Sequence, residues 1–211
     1  HRRKKKNASV FDTYFYSTFS EVTPRCPHFG ECGGCRFQHL SYDDQLKLKT
    51  DYLTSLFGRD VIVHPNPSPY EYRTKMDFVY AHAKLGMRKR GDFSTVVDLD
   101  ECHLLAPEVR SVFSLVKSLL HELEIPSYDF LSHEGFLRYV IFRYAPGTGQ
   151  IMVAFTTAET SDDALLLRFR ELREQILEHV TSVYWLINDT MTDTSVIEDS
   201  TRDVLGREYI E

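Results

Sequence analysis

The sequence is poor in cysteine, with four in 211 residues, and holds a single tryptophan. Four thiols are too few for the disulfide framework of a small secreted domain, and no apolar run behind a positive start reads as a secretory signal. A reducing, cytoplasmic compartment is therefore the expected one. Nor does any apolar stretch approach the ~20 residues that cross a bilayer, so no membrane partner is expected. A glycine-rich strand-to-helix loop of the kind that seats a nucleoside cofactor is also missing.

What is present suits a folded chain with a sizeable core: 42% hydrophobic and 27% charged residues, with a net charge of −6. Taken whole, that balance argues against a nucleic-acid binder, but the charge is unevenly spread. Basic residues crowd into 1–6 and 73–90, and acids gather after Glu159. The first six residues open without methionine and read as a cut end, either a solvated tail or a phosphate-binding arm.

The densest feature is Cys26-Pro27-His28-Phe29-Gly30-Glu31-Cys32-Gly33-Gly34-Cys35, which with the remote Cys102 uses every cysteine. Glycines between closely spaced thiols let the backbone bend so that sulfurs can converge. Three readings stand on spacing: disulfides, zinc and an iron-sulfur cluster. Cys32 and Cys35 make half a zinc knuckle, but zinc ribbons close with a second such pair and here only Cys102 remains. Three clustered cysteines plus a distant fourth, with proline after Cys26, lie closer to the ferredoxin-type pattern. With all four thiols so used, none is left for nucleophilic attack.

The run 23–39 around these cysteines resembles the cluster-binding signature of the RNA uracil-5-methyltransferases, in particular the 23S ribosomal RNA (uracil-5-)-methyltransferase type. Further similar stretches follow in order: Tyr72-Arg73-Thr74-Lys75-Met76-Asp77-Phe78, Leu85-Gly86-Met87-Arg88-Lys89-Arg90-Gly91, Val97 to Leu105, and Gly135-Phe136-Leu137-Arg138-Tyr139. The resemblance implies a 4Fe-4S cluster held by Cys26, Cys32, Cys35 and Cys102. It implies that 1–22 ends an N-terminal RNA-binding barrel, that 23–200 is an iron-sulfur central domain, and that 201–211 enters a Rossmann-like methyltransferase domain. S-adenosylmethionine, the nucleophilic cysteine and the base would then belong to the parent protein only. This chain would orient ribosomal RNA and be inactive alone.

The fold expected from the residues is α+β, with a mostly antiparallel sheet, about three helices and a four-cysteine metal site at one edge. Ser41 caps a helix that Gly58 stops, 61–63 reads as a short strand, and Pro65, Pro67 and Pro69 make a rigid connector. Alternation over 76–97 reads as a β-meander whose return strand leads to Cys102. A helix begins at Pro107 and runs through Glu124, two strands follow at 135–144 and 150–157, another helix spans 163–178, and a strand covers 183–187. Residues 10–19 have a strand-like pattern.

Arg73, Lys75, Arg88, Lys89 and Arg90, with Tyr72 and Phe93 among them, form the mixture that grips phosphates and stacks exposed bases. An exposed cationic sheet face is the plain alternative. Arg36, Phe37, Gln38 and His39 join the candidate RNA contacts because the cysteine loop would present them. Two rival functions remain open at this point: a free-standing zinc-stabilised RNA-binding module, and a ferredoxin-like electron carrier with an acidic docking face.

Overall fold

The computed structural model describes residues 21–211, which fall into two units: 21–29 with 35–69, and 30–34 with 70–211. The readings of 1–6 and 10–19 lie outside the described residues.

The first unit is built on helix α1, Tyr42–Phe57. Ser41 starts it because its hydroxyl accepts the Asp44 N–H at 3.2 Å, leaving Asp43 and Asp44 against the positive end of the helix dipole. Gly58, at φ 64°, closes it by returning its N–H to Thr54 O. The run 61–63 is not a strand. Three prolines follow it closely, and an isolated three-residue apolar run gains nothing from extension without a ladder to join.

The second unit is a seven-stranded sheet in the order β3-β2-β1-β4-β5-β6-β7. Its strands are β1 Lys75–Ala81, β2 Lys84–Lys89, β3 Asp92–Asp98, β4 Leu137–Ala145, β5 Gln150–Thr157, β6 Ser182–Ile187 and β7 Thr201–Gly206. The β5–β6 pair is parallel and the other pairs are antiparallel. Helix α2, Pro107–Glu122, leads into β4, and α3, Asp163–Leu177, makes the crossover between β5 and β6 that parallel neighbours require. Residues 201–206, for which no strand was expected from the sequence, pair with β6 as the last strand of this sheet.

Alternation divides the sheet into two faces. One carries Phe78, Phe142, Val153 and Phe155, onto which α2 and α3 lay Val109, Phe113, Val116, Phe169 and Ile176 in a single dry core. Phe113 sits 4.7 Å from Phe78, centroid to centroid, and is fully buried. The opposite face carries Val79, Ala81, Tyr139, Ile141 and Ala154 in a smaller apolar patch with Phe130 against it. Within this unit, α2 and α3 both lie on the other face and leave this patch uncovered. Segments 127–134 and 188–195 serve instead, tied down by hydrogen bonds.

One irregularity positions the residues of the second face. The β4–β5 register shifts between Leu137 and Tyr139. Leu137 and Val140 both belong to the helix-side core, so Arg138 and Tyr139 are both delivered to the other side, as a β-bulge allows. Gly135 makes the approach possible: at φ 109°, a Cβ there would lie 2.2 Å from Ser127 O.

Candidate nucleic-acid interface

The cysteines do not form the metal centre expected of them. Among the described residues, no three His, Cys, Asp or Glu side chains converge as ligands. Cys26 and Cys35 belong to the first unit, Cys32 and Cys102 to the second. Cys32 Sγ accepts the Gly34 N–H at 3.4 Å, and Cys32 and Cys102 both pack against the main core as small apolar groups do. Gly33 also has another reason to be glycine: its N–H donates to Arg88 O at 2.9 Å, and a Cβ would come within 2.8 Å of that oxygen. No site for a 4Fe-4S cluster or for zinc is therefore shown among the described residues. The electron-carrier reading, which needs such a cluster, falls with it.

The basic residues separate by environment. Arg73, Lys75, Lys89 and Arg90 are exposed. Arg73 is anchored by its backbone N–H on Leu104 O at 2.9 Å, with its guanidinium 5.7 Å from the Tyr72 ring. Lys75 Nζ lies 3.1 Å from Asp77. The antiparallel pairing of Val79 with Gly86 carries the start of β1 and the end of β2 to the same end of the sheet, so Lys75, Lys89 and Arg90 gather there. Arg88 is turned inward. Its Nη2 reaches both Asp193 carboxylate oxygens, at 2.9 and 2.8 Å, and its guanidinium stacks 4.8 Å from the Phe130 ring.

The other four candidates lie in the first unit. Arg36 is exposed and Phe37 half-buried. Gln38 is buried and accepts the Cys26 N–H at 3.2 Å, while His39 sits 5.4 Å from the Phe29 ring and its carbonyl takes the Val22 N–H. Gln38 and His39 thus shape the cysteine loop, and Arg36 faces solvent.

Arg88 belongs to a polar network that the sequence reading did not assemble. Asp193 also accepts the Tyr139 hydroxyl, and burial, then that carboxylate, pushes the Tyr139 phenol above its ordinary range. Arg138, fully buried, donates to three carbonyls of one turn: Asn188 O at 2.5 Å, Thr190 O at 2.9 Å and Thr192 O at 2.5 Å. Its guanidinium also stacks 4.4 Å from the Tyr128 ring. Ser195 Oγ closes the arrangement on Asp77 at 2.6 Å. Above this network lies a cleft of about 300 Å³, walled by β2–β3, by 129–133 and by 191–193. The one sequence signal for it is the run from Gly135 to Tyr139, whose adjacent Arg and Tyr are the pair the bulge turns to one side.

No family model matches the chain. It is 35% identical over 191 residues to the tRNA (uracil(54)-C(5))-methyltransferase of Pyrococcus horikoshii, a match covering 90% of this chain and 44% of that protein. The Pyrococcus abyssi protein of the same name is 34% identical over 176 residues, covering 82% and 41% respectively. Among solved structures, the Pyrococcus abyssi tRNA (uracil-54, C5)-methyltransferase in complex with S-adenosyl-L-homocysteine superposes with a TM-score of 0.70 at 30% identity, over 85% of this chain and 42% of that one. The chain is thus homologous to RNA uracil-5-methyltransferases, and spans less than half the length of the curated relatives it matches. These relatives are named for transfer RNA. That finding, with the failure of the cysteines to converge, overturns the reading as an iron-sulfur segment of a 23S ribosomal RNA enzyme.

Proposed function

We propose that this chain works in an S-adenosylmethionine-dependent enzyme that methylates C5 of a uridine in transfer RNA, and that its part is to engage the RNA. The observation that carries this is the match to a tRNA (uracil(54)-C(5))-methyltransferase, 35% identical along 90% of the chain. The solved relative's bound S-adenosyl-L-homocysteine is what S-adenosylmethionine becomes on giving up its methyl group, which supports that donor. Working on transfer RNA, the enzyme is cytoplasmic.

The described residues do not fit the donor itself. Their parallel strand–helix–strand unit turns through 158–162 without a glycine, and the Asp162 carboxylate accepts the Ala164 and Leu165 N–H groups at 3.0 and 3.1 Å, filling the helix N-terminus. No chemical step is therefore placed there. What the second unit does supply is a set of exposed cations at one end of a rigid sheet: Arg73, Lys75, Lys89 and Arg90. In an acidic chain, cations held together in this way favour a phosphate backbone without attracting RNA to every surface.

Incubating the complete gene product with S-adenosylmethionine and transcripts of transfer and ribosomal RNA, then counting 5-methyluridine by mass spectrometry, tests the reading. One methylated uridine per transfer RNA is expected. Methylation confined to ribosomal RNA would refute the substrate, and none on either would refute the activity.

A further inference from the structure

The cleft on the sheet face opposite α2 and α3 has an apolar rim. Phe93, Leu131 and Met191, from three separate segments, are 80%, 81% and 74% exposed around one concavity. Large apolar side chains gathered at one opening mark a contact site more than chance exposure does.

Two of these side chains stand on hydrogen-bonded turns. Phe93 stands on a turn in which Asp92 accepts the Ser94 N–H at 3.0 Å, the Ser94 hydroxyl at 2.6 Å and the Thr95 hydroxyl at 2.7 Å. Its own carbonyl accepts from Arg88. Leu131 stands on a second turn, where Asp129 Oδ1 accepts the Leu131 and Ser132 N–H groups at 2.7 and 3.2 Å. His82, Ala83 and His133, in the walls or beside them, hold φ values of 51°, 57° and 60°. Non-glycine residues keep such a conformation only where their surroundings impose it, and these places cluster at binding sites.

The chemistry inside selects an occupant. A cleft of about 300 Å³ sits at the small end of ligand pockets. Asp129 and Asp193 line it beside the Arg88 guanidinium and the His82 and His133 rings. Arg88 is already paired with Asp193, so with neutral imidazoles the cleft holds no surplus positive charge for an anion such as a phosphate. A flat, neutral group that stacks on a fixed ring, and that offers N–H donors to an acceptor-rich wall, matches it. Exposed Lys84 and Lys89, at either end of β2, leave places for the phosphates on each side of such a group.

We propose that this cleft binds one unstacked nucleobase of single-stranded RNA, stacked on Phe93, and that it takes a base bearing an exocyclic amino group in preference to uracil. It is thus a site for a base other than the one to be methylated. The proposal rests on the RNA-engaging role above.

Fluorescence anisotropy of the chain with labelled oligocytidine and oligouridine eight-mers, titrated over a range of salt concentrations, tests it. Cytosine and uracil stack alike and differ along the N3–C4 edge, where cytosine sets an amino group beside a bare ring nitrogen and uracil a carbonyl beside one N–H. Oligocytidine should bind more tightly. Phe93→Ala should weaken its binding about 5- to 150-fold, the loss of one base stack, without changing the salt slope. Phe93→Trp should retain it, and melting should be unchanged in both variants because the ring is exposed. Lys89→Ala should instead lower the salt slope by about 0.7. If RNA binds and Phe93→Ala makes no difference, the cleft is not the site and the RNA-engaging role stands. Equal affinity for the two oligomers would overturn the base preference. A chain that binds neither oligomer nor transfer RNA would overturn the role and the cleft together. Phe93→Ala abolishing self-association while sparing RNA affinity would assign the cleft to a protein contact and overturn the proposal.

Discussion

The two faces of the one sheet are held by different forces. Under α2 and α3 the contacts are apolar and nearly water-free, so stability comes from area removed from water and from close packing. On the opposite face the covering pieces are irregular, and three cross-linking side chains, Arg88, Arg138 and Tyr139, hold them. The first arrangement depends mainly on apolar contact and is hard to re-aim. The second is directional and titratable, and it fixes a turn through hydrogen bonds to its carbonyls. A surface that must recognise something is better made in the second way.

Mutations should separate the two. The largest loss is expected from Phe113→Ala on the helix side, about 3–5 kcal/mol in denaturant unfolding, because its ring contacts Phe78 and Phe142 and leaves a cavity that cannot collapse. Arg138→Met on the other face should cost about 2–4 kcal/mol, since it strands three carbonyls that one guanidinium now satisfies. Unlike the first variant, it should also raise hydrogen exchange selectively in 188–194. Equal protection of that turn in both variants would remove the distinction between the faces.

Tyr139→Phe should cost about 1 kcal/mol at neutral pH through the lost bond to Asp193. Its pH dependence carries the sharper signature. A phenol whose folded pKa is raised contributes stability that is complete below its ordinary value of 10 and is lost as pH rises past it, so the variant should show a shallower alkaline fall in unfolding free energy. The smallest effect is local. Hydroxyl and amide donors from Ser94 and Thr95 hold Asp92 down to about 2, so the turn bearing Phe93 should stay ordered well below the usual carboxylate range and loosen only as pH approaches that value. Carboxyl chemical shifts of Asp92 followed through acid titration check this. A midpoint near 3.8 would show that the turn does not constrain the ring.

The difference between the faces also explains what was legible in the sequence. Period and caps announce the apolar side: Ser41 and Gly58 bracket α1, Pro107 opens α2, and the 76–97 meander reads directly from alternation. All three helices appear within a few residues of their expected ends. The other face depends on contacts between residues some 50 positions apart, such as Arg138 with Asn188, and on a bulge that strict alternation cannot show. The strand at 201–206 was missed because its pattern gains meaning only beside β6. The short strand at 61–63 was over-read for the converse reason: composition without a partner. The cysteines were misjudged because crowding in sequence was taken for convergence in space. Arg73, Lys75, Lys89 and Arg90 do gather at one sheet end as their spacing suggested, whereas Arg88, from the same run, is committed to Asp193.

The bulge in β4 carries a constraint on how the chain can vary in length. Two neighbours, Arg138 and Tyr139, point the same way only because one residue is left over between paired positions. Deleting a single residue there would restore regular pleating and swing the guanidinium or the phenol into the phenylalanine layer beneath the helices, at the cost of both faces. Length changes should therefore be tolerated in the 145–149 hairpin turn and purged from the start of β4, a pattern that deletion scanning would record as a sharp boundary at Gly135.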